Sequence, residues 1–226
     1  MNKTGVIISG GTIDRDFTLE QMKNINPEII IGVDSGLDFS YQNAIMPTHI
    51  VGDFDSVKPE VIAHYKQKTD IPIREFNPVK DASDTEIAVR LAIELKVEVL
   101  WIFGATGSRL DHVWANVQTL KIAHDAGVKA FILDRYNRIS MAEKQIELSR
   151  RNAFGPFFSV FSFGGNVQGL SISGAKYPLK NHTLCPYDSL TVSNQFLEDE
   201  VHITFSEGMI VLMETRDGKS AVTEYP

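Results

Sequence analysis

Apolar and polar positions follow one pattern up to about residue 135 and another beyond it. In the first stretch, short unbroken apolar runs are separated by segments whose apolar residues recur every three or four positions. Gly5-Val6-Ile7-Ile8-Ser9 reads as a buried strand ended by Gly10-Gly11, and Glu28-Ile29-Ile30-Ile31-Gly32-Val33 as a second, ended by Asp34-Ser35-Gly36. A helix is predicted from Leu37 to Ala44, a strand at His49-Ile50-Val51, and a helix from Lys58 to Lys68, with Pro59 suited to its first turn. Ile71-Pro72-Ile73-Arg74-Glu75 reads as a short strand, placed near a sheet edge by its proline. Ser83-Asp84-Thr85-Glu86 has the form of a capping box, after which Ile87, Leu91 and Leu95 recur every four residues. Val97 to Phe103 is an apolar strand broken only by Glu98. A helix from Leu110 to Ala126 follows, stopped by Gly127, with Val113, Val117 and Leu120 on its buried face. Val128 to Leu133 is the last strand of this half.

Apolar strands alternating with amphipathic helices predict a parallel sheet with helices on both faces, a Rossmann-like α/β domain. Beyond Tyr136 the runs shorten. Phe157 to Phe163, Leu190-Thr191-Val192, Val201 to Phe205 and Met209 to Met213 are predicted strands, punctuated by Gly164-Gly165-Asn166, Ser173-Gly174, Cys185-Pro186 and Glu207-Gly208. That spacing predicts a smaller all-β sandwich or barrel-like domain. The polar segment from Asn137 to Glu143 is the expected boundary, giving domains 1–138 and 139–226.

In a parallel sheet the loops that follow strands gather at its carboxyl edge, where open α/β folds bind ligands. Those loops carry Gly10-Gly11, Asp34, Asp53 with Asp55, Lys80 with Asp81 and Asp84, and the run Gly104 to Asp111. Val51-Gly52-Asp53-Phe54-Asp55-Ser56 places two carboxylates two residues apart, on one face if the segment is extended. A hard divalent cation such as Mg²⁺ is one reason to hold like charges so close; an acidic turn bent at Gly52 is the other. Turn and cap chemistry explains any one of these loops, but explains poorly why so many carry acids at the same edge.

The formal net charge of −7 opposes a role in coating nucleic acid, which needs clustered Lys and Arg. No apolar run approaches the roughly 20 residues of a membrane span, and Met1-Asn2-Lys3-Thr4 leads directly into a strand without a signal peptide's apolar region. The single cysteine, Cys185, has no intrachain partner, which fits a reducing cytoplasm. His49, His64, His124, His182 and His202 show no metal-ligand spacing, His112 reads as a supporting or structural residue one turn into its helix, and Trp101 and Trp114 are expected in the core.

An acidic edge that gathers Mg²⁺ beside a glycine-rich loop suits phosphoryl or pyrophosphoryl transfer. Gly104-Ala105-Thr106-Gly107-Ser108-Arg109 opens a helix whose free N–H groups can hold phosphate oxygens, and Arg109 can grip them bidentately. The loop is neither a Walker A loop nor the dinucleotide fingerprint. An Arg-Leu-Asp-His run could equally serve the helix start, with Asp111 favourable there.

From Val6 to Glu214 the chain resembles the thiamine pyrophosphokinase (thiamine diphosphokinase) family. The likeness rests on Gly52-Asp53-Phe54-Asp55-Ser56, on Lys80-Asp81-Ala82-Ser83-Asp84-Thr85-Glu86, and on Gly104-Ala105-Thr106-Gly107-Ser108-Arg109-Leu110-Asp111-His112 with Asn116. It continues through Gly174-Ala175-Lys176-Tyr177-Pro178-Leu179 and Ser193-Asn194. Asp34-Ser35-Gly36 and Gly107-Ser108-Arg109 depart from the family's usual Asp-Gly-Gly and Gly-Gly-Arg, and Ser83-Asp84 from its frequent Thr-Asp.

The resemblance implies transfer of the β,γ-pyrophosphoryl group of ATP to the thiamine hydroxyl, with release of AMP and a requirement for Mg²⁺. It implies that Asp53, Asp55 and Asp84 hold the metal and polyphosphate, with Asp34 and Asp81 in support. Asp55 or Asp84 would take the hydroxyl proton. Lys80, Thr106, Gly107 and Arg109 would contact phosphates, Asp111 would fix Arg109 or touch the nucleotide, and Ser193 and Asn194 would bind thiamine. Phe196 or Tyr187 is expected either against the thiazolium or in the β core. The resemblance further implies a homodimer with the active site at the subunit interface. Two alternatives are a pyrophosphokinase for another hydroxymethyl acceptor such as a pterin, and a nucleotide-binding regulatory module without turnover.

Overall fold

The computed structural model describes residues 2–67, 70–75 and 81–218. Its contacts divide the chain between Arg135 and Tyr136 into two units. The first runs β1 (Thr4–Ile8), α1 (Arg15–Ile25), β2 (Ile29–Val33), α2 (Gly36–Gln42), β3 (His49–Gly52), α3 (Pro59–Gln67), β4 (Ile73–Glu75), α4 (Asp84–Glu94), β5 (Val99–Phe103), α5 (Leu110–Asp125) and β6 (Lys129–Leu133). Its strands lie in the order β6-β5-β1-β2-β3-β4, and every pairing is parallel. The central strands read as unbroken apolar runs because Val6, Ile7, Ile8, Leu100 and Ile102 are fully buried. Helices α2 and α3 pack on each other, as do α4 and α5. As Pro72 suggests, β4 lies at the edge: the proline's carbonyl accepts from the Ile50 N–H at 3.0 Å, and its missing donor falls outside the ladder.

The capping box forms by half. Ser83 Oγ accepts from the Glu86 N–H at 3.2 Å, but the Glu86 carboxylate turns forward to Arg90 at 2.8 Å instead of back to the cap. Helix α1 is absent from the sequence reading because only Phe17 and Thr18 of it are buried, too few to give a periodic apolar stripe. Its ends were nonetheless marked. Asp14 accepts from the Phe17 N–H at 3.0 Å as the N-cap, and Asn26 closes the helix in the left-handed conformation.

The second unit contains β7 (Asn137–Ala142), β8 (Ile146–Ser149), β9 (Phe157–Ser162), β10 (Val167–Ser173), β11 (Leu179–Leu184), β12 (Asn194–Gln195), β13 (Glu200–Thr204) and β14 (Ile210–Thr215). Two antiparallel groups, β12-β9-β14-β7 and β11-β10-β13-β8, enclose one core. Phe158, Val160, Ile210 and Leu212 come from the first group; Val167, Leu170, Ile172, Leu184, Val201 and Ile203 come from the second. The chain is therefore an α/β unit followed by an antiparallel β unit. Among the described residues no helix is long and apolar enough to cross a membrane.

The expectation for residues 190–192 is corrected here, and the polar segment at the expected boundary takes regular structure. The polar segment 137–143 is a strand over most of its length, β7, paired along all of β14. Its polarity misleads because Arg138 faces Glu214 in register and the two neutralise each other, at 2.5 and 2.7 Å. Leu190-Thr191-Val192 is a turn: Leu190 and Val192 are exposed, and the Thr191 hydroxyl donates to the Val160 carbonyl.

Glu214 is 5% exposed, and it also accepts from the Phe154 N–H at 3.3 Å. Glu214→Ala strands the Arg138 guanidinium. We expect a loss of about 2–3 kcal/mol in denaturant unfolding, somewhat below the cost of breaking a fully buried pair because Arg138 keeps some water contact. A loss below about 0.5 kcal/mol, the range of ordinary surface substitutions, would remove the pair from the β unit's stability.

Candidate active site

Strands β1 and β5 are neighbours in the sheet, and the chain leaves them in opposite directions, toward β2 from one and β6 from the other. Their following loops stay joined. The Gly11 N–H donates to the Gly104 carbonyl at 2.7 Å and the Thr12 N–H to the Thr106 carbonyl at 2.8 Å. Side chains cannot enter this seam. Gly104 has φ +67° and a Cβ there would lie 2.2 Å from the Ser9 carbonyl, while one at Gly11 would lie 2.3 Å from that of Thr106. Around the seam opens a cleft of about 480 Å³, lined by Gly10, Gly11, Asp34, Ser56, Asp84, residues 104–109 and Asn116 among others.

On the glycine-rich side, the buried Asn116 amide of α5 donates to the Ala105 carbonyl at 2.8 Å and fixes the loop to the helix. The Thr106 hydroxyl donates to Asp134 at 2.8 Å, which fixes its side chain against the end of β6. Arg109 holds the N-cap position of α5 without a side-chain cap bond, and a guanidinium cannot accept one. The start of a 16-residue helix therefore borders the cleft without a cap from the N-cap residue, and Asp111 Oδ1 accepts from the His112 N–H in its first turn at 2.9 Å. Arg109 forks onto Asp111 at 2.6 and 3.3 Å. That hydrogen-bonded pairing lowers the Asp111 pKa and raises that of Arg109. Of the two roles open to Asp111, the geometry is that of fixing Arg109. At the far side of the loops, Asp14 holds Arg135 at 2.5 and 2.7 Å, chiefly through hydrogen bonds that lower the Asp14 pKa.

On the acidic side, Asp34 lines the cleft in the left-handed region at φ +42°, its N–H donating to the Val51 carbonyl at 3.3 Å. Its Oδ1 lies 2.0 Å from where a Cβ on residue 52 would be, which only Gly52 permits. The Asp53–Asp55 segment is not extended, contrary to the same-face expectation. Strand β3 stops at Gly52, Phe54 takes φ +62°, and Asp53 Oδ1 accepts from the Asp55 N–H at 3.2 Å. The acidic turn is thus real, and it presents Asp55 exposed and Asp53 half-buried, with Ser56 on the cleft wall.

Asp84 also lines the cleft, from the first residue of α4. Cap duty falls to Ser83, so helix-start electrostatics and cleft chemistry coexist at Asp84. Asp81 lines a neighbouring depression of about 420 Å³ with Ser83 and Glu86. Lys80 lies outside the described residues. Asp53, Asp55 and Asp84 do not form a closed cage, since their oxygens do not all fall within 4.8 Å of one another. An all-oxygen donor set of this open kind fits a small hard cation that keeps water and binds substrate phosphates; it does not fit a dedicated protein cage.

Sequence reading missed the cleft floor. Ser9 and Thr85, both buried and far apart in sequence, share a hydroxyl–hydroxyl bond of 2.6 Å that ties the end of β1 to the first turn of α4. Their positions, one at a strand end and one at a helix start, were the available signal.

In the β unit, Ser193 sits in the left-handed region at φ +57°, its N–H donating to Ser159 Oγ at 2.9 Å. Asn194 is 3% exposed, and its amide is engaged at both ends. Oδ1 accepts from the Tyr177 N–H at 3.0 Å, and Nδ2 donates to the Tyr177 carbonyl at 2.8 Å. It holds the Lys176-Tyr177-Pro178 segment in place. Phe196 packs edge-on against Phe158 at the core, with ring centroids 5.8 Å apart, whereas Tyr187 is 86% exposed. Trp101 stacks on Phe131, but Trp114 is 54% exposed, which corrects its expected core placement: it lies on the outer side of α5, opposite the buried Asn116 and Ala123.

Comparison with known proteins covers both units. Residues 21–132 match the family model for the thiamin pyrophosphokinase catalytic domain, and residues 143–210 match that for the thiamin pyrophosphokinase vitamin B1 binding domain. A thiamine pyrophosphokinase of Bacillus subtilis (strain 168) is 27% identical over 95% of this chain and 100% of its own length. The crystal structure of thiamine pyrophosphokinase from Bacillus subtilis covers 96% of this chain and 100% of its own, with a TM-score of 0.85 and 26% identity. That of thiamin pyrophosphokinase from Geobacillus thermodenitrificans covers 96% and 99%, with a TM-score of 0.81 and 26% identity. Two family models in chain order, over an edge of clustered acids and glycines, establish that the chain belongs to the thiamine pyrophosphokinase family.

Proposed function

We propose that the cleft at the β1–β5 seam is where the pyrophosphoryl group of ATP passes to thiamine. The chain is a thiamine pyrophosphokinase, a transferase forming thiamine diphosphate, and its family works with a metal ion and ATP. The observation that carries the assignment of the site is the meeting, in one cleft, of Asp34 and Asp84 with the glycine-rich start of α5. The reading takes the sheet as Rossmann-like: strand order reverses at this seam, and in such sheets the crevice at the reversal takes the ligand, here the nucleotide.

In this reading the 104–109 backbone and the α5 N-terminus hold the polyphosphate, joined by Arg109 and by Lys80. Asp111 keeps Arg109 oriented. Asp53, Asp55 and Asp84, with Asp34 and Asp81 in support, would hold Mg²⁺, which would supply charge neutralisation on the phosphates. The thiamine hydroxyl oxygen bonds to the β-phosphorus as the bond to the α,β-bridging oxygen breaks. AMP leaves with that oxygen, and Asp55 or Asp84 accepts the hydroxyl proton. Residues 1–138 act as the catalytic domain and 139–226 as the thiamine-binding domain, where Ser193 contacts the vitamin and Asn194 supports it. The site is completed at the interface of a homodimer, and the enzyme works in the cytoplasm. The match over 143–210 to a vitamin B1 binding domain favours thiamine over a pterin acceptor or a module without turnover.

The test is AMP formation by purified protein with ATP and Mg²⁺. It should depend on thiamine, and AMP appearing only with another alcohol would reassign the acceptor. Asp55→Asn should keep the wild-type melting transition while losing at least ~100-fold in turnover, about 2.7 kcal/mol at the barrier; undiminished activity would remove Asp55 from the mechanism. Chelation with EDTA should stop the reaction and added Mg²⁺ should restore it, whereas metal-independent turnover would refute the role given to the carboxylates. Sedimentation should give twice the chain mass, and a monomer with full activity would dismiss the shared site.

A further inference from the structure

The turn between Asp53 and Asp55 is built on an aromatic residue that phosphate chemistry does not call for. Phe54 stands at φ +62°, a conformation that a bulky L-residue rarely adopts and that glycine takes freely. Its ring is turned inward, packed against the cluster of Leu37, Ile50, Val57, Val61 and Tyr65 beneath α2 and α3. The ammonium of Lys66 lies 5.9 Å from the ring centroid on α3. Of its neighbours, Asp55 is exposed and Asp53, like Phe54, is half-buried. A strained backbone persists only where its surroundings over-determine it, and the partly buried ring is what this turn packs against the core.

We propose that Phe54 is a positioning residue for the metal-binding pair. Anchoring of its ring in the α2–α3 layer holds the turn in the left-handed conformation and so fixes where the Asp53 and Asp55 carboxylates stand relative to each other. The inference rests on the assignment of those two carboxylates to the cation. It distinguishes the ring from the backbone conformation: a glycine would satisfy φ and still release the turn, while an apolar side chain would keep the anchor.

The experiment measures Mn²⁺ binding by electron paramagnetic resonance in the presence of ATP, with thiamine omitted so that no turnover enters, on the full chain and on Phe54→Ala, Phe54→Gly, Phe54→Leu and Asp55→Asn. Melting curves on each establish that the variant is folded. Phe54→Ala and Phe54→Gly should bind Mn²⁺ about 10–100-fold more weakly, the usual loss when the support of a ligand is removed. Phe54→Leu should stay close to wild type, because apolar side chains of about the right size are tolerated in such a layer. In turnover with thiamine the same variants should raise the Mg²⁺ concentration needed for half-maximal rate more than they lower the rate at saturating Mg²⁺. Wild-type Mn²⁺ affinity in folded Phe54→Gly would overturn the proposal, even if Phe54→Ala failed to fold. Wild-type affinity in Asp55→Asn would instead overturn the metal assignment beneath it.

Discussion

Two backbone hydrogen bonds, Gly11 to Gly104 and Thr12 to Thr106, hold the rest of the site in register. They continue the β1–β5 pairing beyond the last strand residues and so bind together the two loops that leave the sheet in opposite directions. Bonds this short between peptide groups require the main chains to lie side by side, which excludes any Cβ at Gly11 or Gly104. The absence of side chains at the seam also leaves peptide groups, and not hydrocarbon, facing the cleft. A site meant for phosphate oxygens needs that chemistry.

The remaining parts are secured to this seam from separate directions. Asn116 ties the glycine loop to α5, and the Ser9–Thr85 hydroxyl pair ties the end of β1 to α4, setting Asp84 at the rim. Asp34 is lodged against Gly52 on the other side. Each tie is a single polar contact, yet each is buried or confined, so the groups they place need little reorganisation when charge arrives. Three non-glycine residues in the left-handed region, Asp34, Phe54 and Ser193, fall within or beside the motifs on which the family resemblance rests. Each such residue costs of order 1–3 kcal/mol, which the packing around it must offset. Asn26, Ala44, Lys96 and Asn181 take the same conformation elsewhere, so it is not confined to these loops.

The β unit shows the same division between framework and display. Asn194 spends its amide on Tyr177 and on the Gln195 N–H, and Glu214 its carboxylate on Arg138 and Phe154, so both are framework despite their polarity. Ser193, one residue before Asn194, is held by its backbone and keeps its hydroxyl for other use. Adjacent residues in one motif can therefore have opposite roles, a distinction invisible in the motif itself.

Much of the molecule was legible in the chain. The apolar runs of β1, β2, β3, β5 and β6 announced themselves because strands buried on both faces have no polar alternation to hide in. The Ser83 cap and the Pro72 edge signal also held, since each depends on chemistry local to a few residues. Helix α1 and strands β7, β8, β10 and β11 did not show: their apolar faces are thin, and their stability comes from partners distant in sequence, such as Glu214 for Arg138. At the site, sequence alone determined which residue types are available: acids, glycines and one arginine after successive strands. Tertiary structure decided their use. It turned Asp53 onto the Asp55 N–H, gave Asp111 to Arg109 and Thr106 to Asp134, and brought Ser9 against Thr85. Hydrogen bonds are made by atoms that meet in space, and strand order, not chain order, decides which atoms meet.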